Sequence, residues 1–217
     1  YTIQDKPRGL ADAFILGEEF IGNDSICLML GDNLLYGDGL TKILKESINQ
    51  VEDNENAVVF GYYVNKPEDY GTIQLNQNDE IVSIEEKPSH PTSNYAIIGL
   101  YFYPNNVIQL AKKVKPSLRG EIEITSINQT YLKNNKIKVN LLGRGFTWMD
   151  TGTHESLLEA SQLIKSLEKR TGLKIGCLEE IALKKGLISE EDLKKSLQNM
   201  QDSPYKNYIL KLITINE

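Results

Sequence analysis

Two short apolar runs, Ser25-Ile26-Cys27-Leu28-Met29-Leu30 and Ala57-Val58-Val59-Phe60-Gly61-Tyr62-Tyr63-Val64, set the terms on which this chain can fold. Both are apolar at odd and even positions alike, as a strand is when helices cover both faces of its sheet. Between them Leu40, Ile43, Leu44 and Ile48 recur at helical spacing. Strand, helix and strand in that order predict a right-handed βαβ unit and a doubly wound α/β sheet. Upstream, residues 9–20 place Leu10, Phe14 and, less cleanly, Gly17 and Phe20 on one helical face. Cys27, inside the first run, is expected to be a small buried hydrophobe rather than a reactive thiol.

The pattern then changes. Gly71-Thr-Ile-Gln-Leu and Glu80-Ile-Val-Ser-Ile-Glu flank the polar turn Asn76–Asp79 and read as a hairpin. Residues 94–103 form a long β-branched and aromatic run, 106–114 and 122–132 are helical in pattern, and 136–142 is strand-like. An antiparallel excursion is thus inserted into an α/β core. Past Asp150 the chain turns helical: Thr153 is a suitable N-cap for a helix through Arg170 with Leu157, Ala160, Ile164 and Leu167 on its buried face. A second helix, 178–185, stops at Gly186, Ser189 caps a third ahead of three acids, and 205–213 is a fourth.

Composition removes several functional classes. A net charge of −6 on 217 residues argues against a nucleic-acid or anionic-membrane partner, while leaving room for a nucleotide held by a few local cations and a metal. No apolar run approaches the roughly 20 residues that span a bilayer, and no signal peptide is visible. Two cysteines and two histidines, none at ligand spacing, exclude a disulfide framework or a zinc site and fit a reducing, cytoplasmic compartment. Neither dinucleotide nor Walker glycine motifs nor a hydrolase triad occur, which disfavours dehydrogenase, kinase and triad hydrolase readings. The chain opens at Tyr1 on what reads as the end of a strand, so its start is expected to lie inside a domain.

Four segments carry chemistry. Gly31-Asp32-Asn33 follows the carboxyl end of a buried strand, where open α/β sheets bind ligands, and a carboxylate there suits a partly hydrated Mg²⁺; a turn or capping aspartate is the plainer alternative. In Glu85-Glu86-Lys87-Pro88, Lys87 is a point charge suited to phosphate and Glu86 an acceptor for sugar hydroxyls, unless the run is merely a solvated face. Arg119-Gly120-Glu121 precedes a helix and fits an anion site, or a surface arginine paired with Glu121 or Glu123. Trp148-Met149-Asp150-Thr151-Gly152-Thr153 offers either a capping aspartate or a second metal carboxylate. Asp32 and Asp150 can share one cation only if the fold closes on itself.

Taken in order with Gln4-Asp5-Lys6-Pro7-Arg8-Gly9-Leu10-Ala11, Gly99-Leu100-Tyr101-Phe102-Tyr103 and Leu142-Gly143-Arg144-Gly145, these segments resemble the glucose-1-phosphate thymidylyltransferases over essentially the whole chain, the tail around Gly176-Cys177-Leu178-Glu179-Glu180-Ile181-Ala182 included. The resemblance implies a Rossmann-like doubly wound mixed sheet of the nucleotidyltransferase type over residues 1–155, with an antiparallel sugar-binding insertion, and a helical regulatory and oligomerisation region over 156–217. It implies transfer of a thymidylyl group from dTTP to glucose 1-phosphate, giving dTDP-glucose and pyrophosphate, in a cytoplasmic homotetramer subject to feedback by a dTDP-sugar. Gln4, Pro7 and Gly9 are then expected at the base, Asp32 and Asp150 on Mg²⁺, and Gly71, Glu86, Ile97 and Tyr101 around the sugar. Lys87 and Arg119 are expected on the sugar phosphate, and Glu179 and Glu180 at a regulatory site. The Gly-rich, arginine-bearing loop that opens members of the family does not occur in the chain, which alone is expected to be inactive. Two alternatives stay open: a pyrophosphorylase using UTP, CTP or ATP, and a non-catalytic sugar-nucleotide-binding subunit. A glycosyltransferase fits less well, since Gly31-Asp32-Asn33 is not an Asp-x-Asp pair.

Overall fold

The computed structural model describes residues 1–117 and 119–214. It divides into two compact units, Tyr1–Thr153 and a second that begins at His154. In chain order the first unit holds α1 (Asp12–Leu16), α2 (Glu18–Ile21), β1 (Ile26–Met29), β2 (Asn33–Gly37), α3 (Leu40–Asn54), β3 (Ala57–Tyr63), β4 (Gly71–Leu75), β5 (Ile81–Glu86), β6 (Tyr95–Tyr103), α4 (Val107–Lys113), α5 (Ile124–Lys133), β7 (Ile137–Leu142) and β8 (Phe146–Asp150). The second holds α6 (His154–Thr171), α7 (Leu178–Lys184), α8 (Glu190–Gln198) and α9 (Pro204–Thr214).

The main sheet runs β5-β4-β6-β3-β7, with β1 also on β6. β3 and β7 are parallel, and every other pairing in it is antiparallel. β6 organises the whole. Its first residues pair with β4 and its last with β1, while β3 follows its opposite edge. Alternation along β3 and β6 divides the core into two layers. Ala57, Val59, Ile97, Tyr101 and Tyr103 pack with Phe14, Ile127 and Tyr131 on one face. Val58, Phe60, Ile98, Leu100 and Phe102 pack with Val51 and Trp148 on the other. This is the two-sided burial expected of the run at 57–64.

The first apolar run behaves differently. β1 and β3 point the same way, but β6 lies between them, so they are not the adjacent strands of a simple βαβ unit. Ile26 and Leu28 join the first core layer, whereas Cys27 and Met29 are exposed. The layer formed by α3 and Trp148 lies over β3 and β6 and leaves that side of β1 open, so Cys27 is not the buried hydrophobe expected of it. The helix at 9–20 also breaks. Gly17 separates α1 from α2, which turns Phe20 to solvent while Phe14 stays buried.

In the second unit Cys177, Leu193, Leu197, Ile209 and Ile213 form a small core. Ser189 caps α8 in full: its Oγ accepts from Asp192 N at 3.1 Å, and its own N–H donates to the Asp192 carboxylate at 3.3 Å. On α6, Ala160 is buried and Ile164 and Leu167 half-buried, as the spacing required, whereas Leu157 is exposed. Among the described residues no helix is long and apolar enough to cross a membrane.

Candidate active site

A cleft of ≈ 330 Å³ opens on the first unit. Its floor is the face of β6 that carries Ile97, Gly99 and Tyr101; the end of the β4–β5 hairpin, the start of α5 and the end of β8 form its walls.

One wall gathers the acids. β2 and β8 form a separate antiparallel ribbon in which Asn33 lies opposite Asp150. Thr151 locks the crossing, with its N–H and its hydroxyl each donating to the Asp32 carbonyl at 2.8 Å. Two carboxylates far apart in sequence thereby converge on Gly152. A Cβ there would stand 3.1 Å from Asp150 Oδ1 and 3.8 Å from Asp32 Oδ2. Each acid has one oxygen committed: Asp32 Oδ1 accepts from Asn33 Nδ2 at 2.9 Å, and Asp150 Oδ1 from Gly152 N at 3.0 Å. The second oxygen of each has no partner among the described residues.

Asn33 ties this corner to the sheet. Its Oδ1 accepts from Trp148 Nε1 at 2.6 Å and from Gly99 N at 2.9 Å, so one carboxamide fixes an indole, a strand and the Asp32 carboxylate together. Gly99 makes room for it, since a Cβ there would meet Asn33 Cγ and Oδ1 and Leu30 Cδ1 at 2.7 Å. Gly99→Ala is therefore expected to destabilise the protein by about 1–3 kcal/mol, the usual scale of overpacking. Urea unfolding checks it, and an unchanged midpoint would contradict this packing.

The other wall carries the cations. Gly71 and Glu86 face each other across β4 and β5, and a Cβ on Gly71 would lie 3.5 Å from Glu86 Oε2. Thr125 Oγ1 donates to that oxygen, while Arg119 Nη2 bonds the other at 3.2 Å. Arg119 also bonds Glu123 Oε1, at 3.2 Å from Nε and 2.9 Å from Nη2, and Ser117 Oγ donates to the same oxygen at 2.7 Å. Glu123 foremost, with Glu86, raises the pKa of the guanidinium beyond its already high value. Tyr101, buried against Tyr103, has its phenol pKa pushed up by burial and then by the Glu86 charge. It is a neutral wall.

Lys87 differs from Arg119. It is exposed and, among the described residues, has no ion-pair partner. Its φ of +41° lies in the left-handed region, where a non-glycine residue costs of order 1–3 kcal/mol. A hydrogen bond from its N–H to Tyr70 O at 3.1 Å holds it there, ahead of Pro88. Strain kept at one cation of a cleft points to use.

The profile of the nucleotidyl transferases matches residues 1–166. A glucose-1-phosphate thymidylyltransferase of Neisseria meningitidis is 48% identical across 98% of this chain and 73% of its own length. One from Mycobacterium tuberculosis is 44% identical across 100% and 74%. The chain belongs to the nucleotidyl transferase family. Solved structures agree: a Bacillus anthracis structure titled as a glucose-1-phosphate thymidylyltransferase, in complex with a sucrose, superposes with a TM-score of 0.67 at 41% identity, covering 75% of this chain and 63% of that one. A UDP-glucose pyrophosphorylase complexed with UDP-glucose gives 0.66 at 27% identity, covering 75% and 64%.

In this nucleotidyl transferase fold, Gly71, Glu86, Lys87, Ile97, Tyr101, Arg119 and Asp150 line the cleft, and Asp32 stands at its rim beside Asp150. Gln4, Pro7 and Gly9 lie outside that lining, on the loop beside it. Ile122 N donates to Arg8 O at 2.7 Å and Ala11 N to Ile122 O at 3.1 Å. Gly9 sits so close, at φ +97°, that a Cβ would be 2.5 Å from Ile122 O. Glu179 and Glu180 belong to the second unit, where they accept from the hydroxyls of Tyr205 and Tyr208, and Lys184 pairs with Glu180. Sequence reasoning missed Asn33, Tyr70, Glu123 and Thr125 as parts of the site. Glu123, two residues past Arg119-Gly120-Glu121, was read only as an alternative partner for Arg119, and Thr125, four residues past it, offered no signal beyond its hydroxyl.

Proposed function

We propose that the protein transfers a thymidylyl group from dTTP to glucose 1-phosphate, with release of pyrophosphate. The observation that carries this reading is the opposition, across one cleft, of a strained lysine without an ion-pair partner among the described residues and two half-committed carboxylates. In an in-line displacement at phosphorus, positioning and charge neutralisation outweigh proton transfer. Lys87 meets the sugar phosphate as it approaches a second anion. Arg119, oriented by Glu123, takes the same phosphate from the side. Glu86, its carboxylate set by Thr125, accepts from sugar hydroxyls, with the Gly71 backbone, Ile97 and Tyr101 enclosing the ring. Gln4, Pro7 and Gly9 hold the base.

Asp32 and Asp150 fit a small hard cation: both donors are carboxylate oxygen, one oxygen of each acid has no partner among the described residues, and the rest of the shell is left for water and substrate phosphate. Mg²⁺ held there would neutralise triphosphate charge. The similarity to the thymidylyltransferases runs through the helical tail, which supports a cytoplasmic homotetramer with feedback by a dTDP-sugar at the Glu179–Glu180 region.

A nucleotide panel with the full-length protein, glucose 1-phosphate and a pyrophosphate readout tests the reading. The highest kcat/KM is expected with dTTP; preference for CTP or ATP would overturn it.

A further inference from the structure

We infer that Asp12 is a specificity-determining positioning residue, which fixes the Gln4 carboxamide so that only its oxygen faces the base. This rests on the proposed thymidylyl transfer, with Gln4 at the base. Asp12 opens α1, where an acid is favoured by the helix dipole, and that would be reason enough for its identity. Its side chain, however, is 5% exposed, and its Oδ2 is turned away from the helix to two partners on the preceding loop. Gln4 Nε2 donates to it at 2.8 Å and Arg8 Nε at 3.0 Å, and Arg8 is braced in turn by Asp5 at 2.8 Å.

The consequence concerns the orientation of the amide. A carboxylate only accepts, so the Gln4 atom beside it has to be nitrogen. The second hydrogen of Nε2 points at another acceptor, the Gly9 carbonyl at 3.4 Å. Both donors of the amide are thus turned inward. The residue is exposed, and among the described residues nothing donates to Oε1. The group presented outward is a pure acceptor. Opposite ring N3 it pairs with the imide N–H of thymine or uracil and opposes the lone pair of cytosine. A glutamine free to flip would present either end and discriminate poorly.

Asp12→Ala tests this, because it removes the acceptor that fixes Nε2 and lets the Gln4 amide turn over, whereas asparagine would keep an oxygen there for Arg8 Nε. In the full-length protein the ratio of kcat/KM for dTTP to that for dCTP is expected to fall by about tenfold or more, the scale of one hydrogen bond lost to an unmatched polar pair. The KM for glucose 1-phosphate should move less than about twofold, as a loss of folding would not spare it. Equilibrium binding of dTMP against dCMP should lose the same preference. Should Asp12→Ala fold poorly, the double variant Asp12→Asn/Arg8→Met, which keeps the shape but no longer requires an oxygen facing Gln4, is expected to lower the ratio about threefold. Ratios unchanged in the folded variants, with Gln4→Ala abolishing the preference, would overturn the role of Asp12 alone. A wild-type protein that prefers ATP would overturn the reading beneath it.

Discussion

Lys87→Ala in the full-length protein is expected to lower turnover by roughly two to three decades, the effect of removing one aimed electrostatic group from a transition state. The two cations of the cleft differ in how far they are already neutralised. Arg119 is already neutralised by Glu86 and Glu123, so a phosphate gains from it only what it takes from those acids. Lys87 has no such competitor among the described residues, and its backbone is held left-handed between Tyr70 O and Pro88. Alanine suffers the same backbone strain as lysine, so stability should hold while kcat falls, which separates chemistry from folding. Lys87→Arg should recover only part of the rate, because a broad planar fork does not replace a compact ammonium. Steady-state kinetics with glucose 1-phosphate varied decide the matter. Activity of Lys87→Ala within about threefold of wild type would remove Lys87 from the reaction.

The elements of the main sheet were legible because alternation and two-sided apolarity are local properties. Val58 and Phe60 declare themselves by their neighbours, and the structure buries both. Cys27 and Met29 carry the same local signature and lie exposed, since what covers a strand is decided by tertiary packing that a six-residue run cannot report. The β2–β8 ribbon escaped notice for another reason. Asn33-Leu-Leu-Tyr-Gly is short, begins a few residues after β1 and ends at a glycine, so nothing in it contrasts with a loop. Yet the pairing of Asn33 with Asp150 is what makes the two acids neighbours. Lys87, Glu86 and Asp150 could be picked out by type. The groups that hold the charged residues of the cleft, Thr125 on Glu86, Glu123 on Arg119 and Asn33 on Asp32, have partners up to 39, 6 and 115 positions away, and only Glu123 was within reach of a local reading.

The ribbon also makes a metal dependence testable at one residue. Asp150→Asn keeps shape and keeps Oδ1 as the acceptor for Gly152 N, so the crossing beside Thr151 should survive. What changes is the charge and the open oxygen. With one carboxylate left on Asp32, a hard dication loses half its fixed anionic donors, and kcat/KM is expected to fall at least about a hundredfold. Raising Mg²⁺ should recover part of that loss, because the defect is one of occupancy as well as geometry. A second readout is independent of turnover: the rise in melting temperature that nucleotide and Mg²⁺ produce together in the wild-type protein should shrink in Asp150→Asn, while the rise from nucleotide alone should not. Asp32→Asn should behave alike, since Asn33 Nδ2 still finds an oxygen at Oδ1. If either variant shows the wild-type Mg²⁺ titration, the two acids do not share a cation and serve only to close the ribbon on the sheet.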